Sequence, residues 1–420
     1  MLKFLKWFLG LFSPYVHPFE RKVDKFFGKI NSRTSLSSIR RKLLKLMQKD
    51  LVVTNVWLEK KFKGYRYLDK STRRKMYEDT QAIVSTFNEF CKKHVYSEKQ
   101  ARELMSQKGL TFPNGAVEQT LYLMQIMAFL RPGQFYRYIK TASFGKLLRD
   151  PRKQKLEGDC NQIVTLYIYL FSLKFPLDQL QIKLLPEHVC LHFRNVDIEA
   201  TNGTFQKYSE KDQILPVTEI ISTNLLDLSD FRESVQSISP RTMVKSAQLA
   251  YAISSLKSLV QKNLDITYHN FGVAAMKSKD FKTAIYYFSL TSDKKELSNA
   301  YRNASIYYLK AHDFKKARYY ASKVGDRDLE KTIKHNEGIY YYQADKISKA
   351  LQIFRSLNDR EMEKACYAKQ YNELAKKVSS VKSLADAKRH RSTYRKMLTL
   401  AQKMGDSSLA SGVRETLGKI

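Results

Sequence analysis

The chain has 420 residues, 43% of them hydrophobic and 12% aromatic, which excludes an intrinsically disordered polymer and exceeds one ordinary core, so two or three domains are expected. Its formal net charge is +33, from 74 Lys and Arg against 41 Asp and Glu spread over the whole length. Such a field attracts anionic lipid, nucleic acid or acidic proteins, and it also arises from solvated basic helix faces, so charge alone does not select a function.

In chain order, residues 1–13 come first. Phe4, Leu5, Trp7, Phe8, Leu11 and Phe12 surround a stripe of Lys3, Lys6 and Gly10. At helical periodicity this predicts an amphipathic helix lying on an anionic membrane surface or docked on the protein's own core. No small-x-small cleavage site follows it, and no other segment reaches the length of a membrane span, which excludes a multi-spanning protein. A helical lead-in is expected from Leu36 to about Asp150. Apolar residues recur at helical spacing in Ile39, Leu43, Leu44 and Met47, and in Met76, Ile83, Val84, Phe87 and Phe90 behind a cap at Ser71-Thr72. Ser97 opens another helix, and Val117–Leu130 is a more apolar one. Between about Pro151 and Asn224 the period changes. Leu180–Leu185, His188–Phe193 and Val196–Thr201 read as short strands, the only β region.

From about Pro240 the pattern is helical again, with a repeat of 33 residues: Asn270/Asn303/Asn336, Phe281/Phe314/Ile347 and Ala284/Ala317/Ala350, each unit closed by Asp293, Asp326 or Asp359. Small residues (Gly272, Ser305, Gly338) precede the Ala by twelve positions, and Phe288, Ala321 and Phe354 follow it by four, a pattern that lets paired helices approach closely. Helices over Ser246–Asn263 and Glu373–Met404 are expected to flank the repeats. These units resemble tetratricopeptide repeats, without the usual helix-breaking Pro. The resemblance implies an α-solenoid that recruits a protein partner. The expected organisation is therefore α+β: an amphipathic helix over 1–13, a helical lead-in with a small α+β core over 30–225, and a helical repeat domain over 240–420.

The chemistry concentrates between residues 158 and 203. Asp159 is placed to cap a helix whose first turn holds Cys160, where the positive helix end favours a thiolate. A hairpin turning at Arg194-Asn195 sets His192 opposite Asp197 and Cys190 opposite Glu199. Val189, Leu191, Phe193, Val196, Ile198 and Ala200 then share an apolar face. His188, Cys190, His192, Asp197, Glu199 and Thr201 share the other, which is expected to be wet. Glu199 stands diagonal to His188 and within its reach, and His192 with Asp197 forms a rival dyad. His188-x-Cys190-x-His192 also offers metal ligands, but one strand rarely supplies a whole site. No metal and no cofactor are expected. The six other histidines show no partner in the sequence. Cys91, Cys190 and Cys366 read as buried hydrophobes, and four cysteines without C-x-x-C spacing point to a reduced, cytoplasmic setting, with peripheral membrane attachment through residues 1–13.

The order Gly158-x-Cys160, His188-Val189 and Glu199-Ala200-Thr201-Asn202-Gly203 resembles the transglutaminase-like cysteine protease superfamily over about residues 130–210. The resemblance implies a thiol nucleophile at Cys160, a base at His188 and an orienting acid at Glu199, where the family more often has Asp. It implies hydrolysis or acyl transfer at amide bonds of a protein or peptide, of which hydrolysis is favoured over extracellular cross-linking. A catalytically silent scaffold at a membrane surface or on nucleic acid is the alternative. Nucleic acid is not an expected partner, since no binding motif is present and the aromatic residues read as core.

Overall fold

The computed structural model describes residues 13–30, 34–209, 214–227 and 236–420. The amphipathic segment expected at the N-terminus lies outside the described residues except for Ser13. The chain divides into two compact units, one through Phe271 and one from Gly272 to Ile420.

The first unit is a helical shell around one small sheet. Its first helices are α1 (Pro18–Lys29), α2 (Leu36–Leu58), α3 (Lys70–Lys93), α4 (Glu98–Gln107) and α5 (Val117–Phe129). Helix α2 runs beyond the expected stretch and kinks at Asp50, whose φ of −166° is extended and whose carboxylate caps the restart by accepting the Val53 N–H at 2.8 Å. A turn of π-helix, Glu59–Lys63, follows. The cap of α3 is Asp69, which accepts the Thr72 N–H at 2.7 Å, not Ser71-Thr72; a carboxylate is favoured at the positive helix end. Ser97 and Gln100 form a reciprocal capping box on α4.

Two three-residue strands, β1 (Tyr136–Tyr138) and β2 (Leu156–Gly158), pair in parallel and lead into α6 (Cys160–Ser172). The antiparallel sheet comprises β3 (Gln181–Leu185), β4 (His188–Phe193), β5 (Val196–Glu199), β6 (Thr204–Gln206) and β7 (Ile214–Pro216), in the order β6-β5-β4-β3-β7. Of these seven strands, β1, β2, β6 and β7 are too short to carry a periodic signal. The hairpin turns at Arg194-Asn195, with Arg194 at a φ of 57°, and pairs His192 with Asp197 and Phe193 with Val196, the register that alternation predicts. Helix α7 (Glu219–Leu226) and helix α8 (Pro240–Ile253) complete the core. Arg73 and Glu20 are buried together (1% and 0% exposed), with Arg73 Nε 2.7 Å from Glu20 Oε1; Arg73 also donates to the carbonyls of Leu68 (2.8 Å) and Pro14 (2.7 Å). A buried charge pair persists only when its remaining donors are satisfied in this way.

The expected helix Ser246–Asn263 is broken. After α8 the chain is extended at Ser254, and α9 (Lys257–Lys277) starts anew. Buried Glu219 holds the break by accepting the Ser255 N–H at 2.5 Å and the Ser255 hydroxyl.

The second unit is a run of helix pairs: α10 (Phe281–Leu290), α11 (Lys294–Lys310), α12 (Phe314–Val324), α13 (Arg327–Gln343), α14 (Ile347–Leu357) and α15 (Arg360–Val378), then α16 (Leu384–Arg389), α17 (Arg391–Met404) and α18 (Ser407–Lys419). The expected helix Glu373–Met404 is thus three helices. The 33-residue repeat has a direct physical meaning. A Cβ on Gly272 would lie 2.7 Å from the Phe288 ring and one on Gly338 would lie 2.8 Å from the Phe354 ring, so each aromatic sits where only glycine leaves room. In the middle unit the sizes are exchanged, with the larger Ser305 at the glycine position and the smaller Ala321 at the aromatic one, and Ser305 donates to the Ala317 carbonyl at 2.8 Å. Asp293, Asp326 and Asp359 do not close units; their carboxylates cap α11, α13 and α15, opening the next. The turns repeat as well, with left-handed backbone at Lys279, His312 and Asp345.

Candidate functional site

The site is assembled at the start of α6. Asp159 is its N-cap, accepting the Asn161 N–H at 3.0 Å, and Gln162 completes a capping box, so Cys160 is the first helical residue. Gly158 is required by packing, since a Cβ there would lie 2.7 Å from Leu147 Cδ1 and 3.0 Å from Gln162 Cβ. The helix is buried along its length from Gln162 to Phe171. Cys160 itself is half-buried.

The Cys160 thiol lies close enough to the His188 imidazole to interact with it. His188 Nε2 lies 2.6 Å from Glu199 Oε2. Its interaction with Cys160 first, and the hydrogen bond to Glu199 second, raise His188 to about 10 against the opposing effect of burial. Burial pushes the Glu199 carboxyl up. Hydrogen bonds from His188, Thr201 and Tyr208 outweigh it and hold the group at about 2. Glu199 Oε1 accepts the Thr201 N–H at 3.1 Å and its hydroxyl, and Oε2 accepts the Tyr208 hydroxyl at 2.7 Å. Cys160, His188 and Glu199 therefore come together, with His188 interacting with both of the others.

His192 and Asp197 also meet, with Nδ1 2.7 Å from Oδ1. The second oxygen of Asp197 takes Lys183 Nζ at 2.8 Å and the Tyr208 N–H at 2.7 Å. This is an internal ion cluster: Lys183 is 2% exposed, Asp197 1% and His192 8%. The polar face of the hairpin is thus not wet, as alternation suggests, but largely covered. Its charges survive burial because each has a partner on the same face. Cys190, cross-strand from Lys183, is fully buried, and burial with Asp197 and Glu199 nearby pushes its thiol up. Burial also raises Cys91, to about 11, and Cys366. Among the described residues no three His, Cys, Asp or Glu side chains are grouped to hold a metal ion, and His188 and His192 each face their own carboxylate.

Four of the histidines without a visible sequence partner have structural ones. His17 caps α1, His94 stacks on Phe90 at 3.7 Å, His312 stacks on Tyr340 at 5.0 Å, and His335 meets Asp359 at 3.1 Å.

Three contributors escaped sequence reasoning. Tyr208 joins the two carboxylates, one through its hydroxyl and one through its N–H. Lys183 anchors Asp197. Glu59, fully buried, accepts the N–H groups of Phe144 (2.6 Å) and Gly145 (2.9 Å) and the Ser143 hydroxyl (3.1 Å), fixing the loop whose Thr141 N–H reaches Asp159. Asp159 is raised to about 6 by burial and by the neighbouring Asp227. The one available signal was Lys183, a charge at the centre of an otherwise apolar strand. No family model matches this chain, and no curated protein matches it in sequence.

Proposed function

We propose that the chain is a transglutaminase-like thiol hydrolase or acyltransferase acting on amide bonds, with Cys160 as nucleophile, His188 as base and acid, and Glu199 as the residue that orients His188. The observation that carries this reading is the single imidazole held between the Cys160 thiol and an ionised Glu199. His188 holds the proton of the Cys160 thiol as an imidazolium, and the thiolate attacks the carbonyl carbon, forming a C–S bond while the C=O electron pair moves onto oxygen. The first-turn N–H of Cys160 stands beside its own sulfur and supports that oxyanion, aided by the positive helix end. His188 then protonates the leaving amine as the C–N bond breaks. Water, deprotonated by His188, hydrolyses the thioester; an amine in its place gives transamidation. Glu199 stays charged throughout, keeping Nε2–H fixed. The helix pairs of the second unit support recruitment of a protein or peptide by analogy with tetratricopeptide stacks. Four free thiols support a reducing, cytoplasmic setting. No helix among the described residues is long and apolar enough to cross a membrane.

The test is acyl-enzyme trapping. Incubation with an activated phenyl ester should give an adduct on Cys160 by intact-mass and peptide mapping, absent in Cys160→Ser and accumulating more slowly in His188→Ala. Equal acylation of the Cys160→Ser chain rejects the reading and leaves a silent scaffold.

A further inference from the structure

The charges of α1 are sorted between two sides. Glu20 is fully buried, with its carboxylate accepting Arg73 Nε, the Tyr77 hydroxyl and the Val16 N–H, each at 2.7 Å. Asp24 is bound by the Tyr15 hydroxyl (2.8 Å), Trp57 Nε1 (3.1 Å) and Lys61. Both acids of the helix are therefore engaged within the protein. Lys22, Lys25 and Lys29, spaced by three and four, are exposed and line a cleft of about 380 Å³ together with exposed Lys42 of α2. Among the described residues no Asp or Glu lines this cleft and no carboxylate pairs with any of the four ammonium groups. Its apolar lining is half-buried Phe26 with Ile30 and Ile39, which are 3% and 1% exposed. Lys245 of α8 donates to the Ile30 carbonyl at 2.7 Å, adding an ammonium group at the lining.

An apolar recess ringed by unpaired cations has a charge demand and a hydrocarbon demand together. A nucleic-acid backbone meets the first, but its bases seek stacking faces, and among the described residues Phe26 is the one ring lining the recess. The chain's own Met1–Phe12 is apolar, yet it carries Lys3 and Lys6 and no acid, so its charge opposes the site. We propose that this cleft binds an anionic phospholipid at a bilayer surface, with the headgroup phosphate on Lys22, Lys25, Lys29 and Lys42 and the adjoining acyl chain against Phe26, Ile30 and Ile39. The site is independent of Cys160 and its partners.

The full chain is co-sedimented with vesicles of phosphatidylcholine alone and of phosphatidylcholine mixed with phosphatidylglycerol. Partition onto the anionic vesicles only is expected. The quadruple variant K22Q/K25Q/K29Q/K42Q should lower it roughly tenfold or more. Phe26→Ser should lower it further at a salt concentration that screens the charges. All five positions are exposed or half-exposed, and unchanged circular dichroism establishes that the variants fold. Equal partition of the quadruple variant overturns the proposal, as does equal binding to neutral vesicles. It is overturned too if K3Q/K6Q alone abolishes binding, or if a single-stranded oligonucleotide displaces the vesicles and Phe26→Ser has no effect.

Discussion

The Tyr208 hydroxyl donates at 2.7 Å to Glu199 Oε2, the same oxygen that meets His188 Nε2 at 2.6 Å. The backbone N–H of Tyr208 meanwhile serves Asp197, so one residue ties both carboxylates of β5 in place. Tyr208→Phe removes one donor from a buried, charged acceptor. Hydrogen bonds to charged groups contribute roughly 1.5–3 kcal/mol, and half-exposed Tyr208 is expected to give about 1 kcal/mol in a denaturant titration. The titration of Glu199 should move up from about 2, since a donor to its ionised form is lost.

Glu199→Gln tests the His188 partnership by pH. His188 is raised from 6.5 to about 10, so its stabilising contribution is complete below 6.5 and is lost as pH rises through about 10. Glu199 is lowered from 4.5 to about 2, so its contribution is complete above 4.5 and is lost as pH falls through about 2. Both are complete only between those two ordinary values. In Glu199→Gln the His188 titration, followed by NMR of the ring protons, should fall markedly toward 6.5, and the alkaline loss of stability should begin at lower pH. An unchanged titration contradicts the assignment of Glu199.

Lys183→Met distinguishes the two His–acid pairs. It leaves Asp197 buried with His192 alone, and breaking such a buried pair is expected to cost about 3–5 kcal/mol of stability by chemical denaturation. The reactivity of Cys160 in the folded fraction should stay within about twofold of the parent. Loss of that reactivity without loss of stability would assign the chemistry to His192 and Asp197 instead.

In the second unit, Gly338→Ala places a methyl group 2.8 Å from the Phe354 ring. Overpacking of this kind costs about 1–3 kcal/mol, and adding Phe354→Leu should recover part of it. Thermal unfolding of the single and double variants checks both. A Gly338→Ala chain as stable as the parent shows that the aromatic is not held by the absent side chain.

What could be read from the sequence was local or periodic. Asp159 at the cap, Cys160 behind it, the turn at Arg194-Asn195 and the register of His192 with Asp197 all follow from neighbours within a few positions. The repeat follows from spacing, although Asp293, Asp326 and Asp359, read as closing each unit, cap the helix that opens the next. The covered state of the hairpin's polar face was not legible, because it depends on Lys183 and Tyr208 arriving from other segments. Glu59 was hidden for the same reason: it lies more than eighty positions from the N–H groups that it accepts. Strands of three residues, β1 and β2 among them, offer too little alternation to register.

On the proposed function, contact with His188 makes Cys160 the reactive thiol among the four. The most direct measurement is competitive labelling of the native chain with a limiting electrophilic thiol reagent at neutral pH, read cysteine by cysteine by peptide mass. Cys160 should react first, ahead of Cys91, Cys190 and Cys366, whose thiols burial pushes up, and His188→Ala should slow Cys160 by about tenfold or more. Slow, equal labelling of all four, unchanged by His188→Ala, would contradict it.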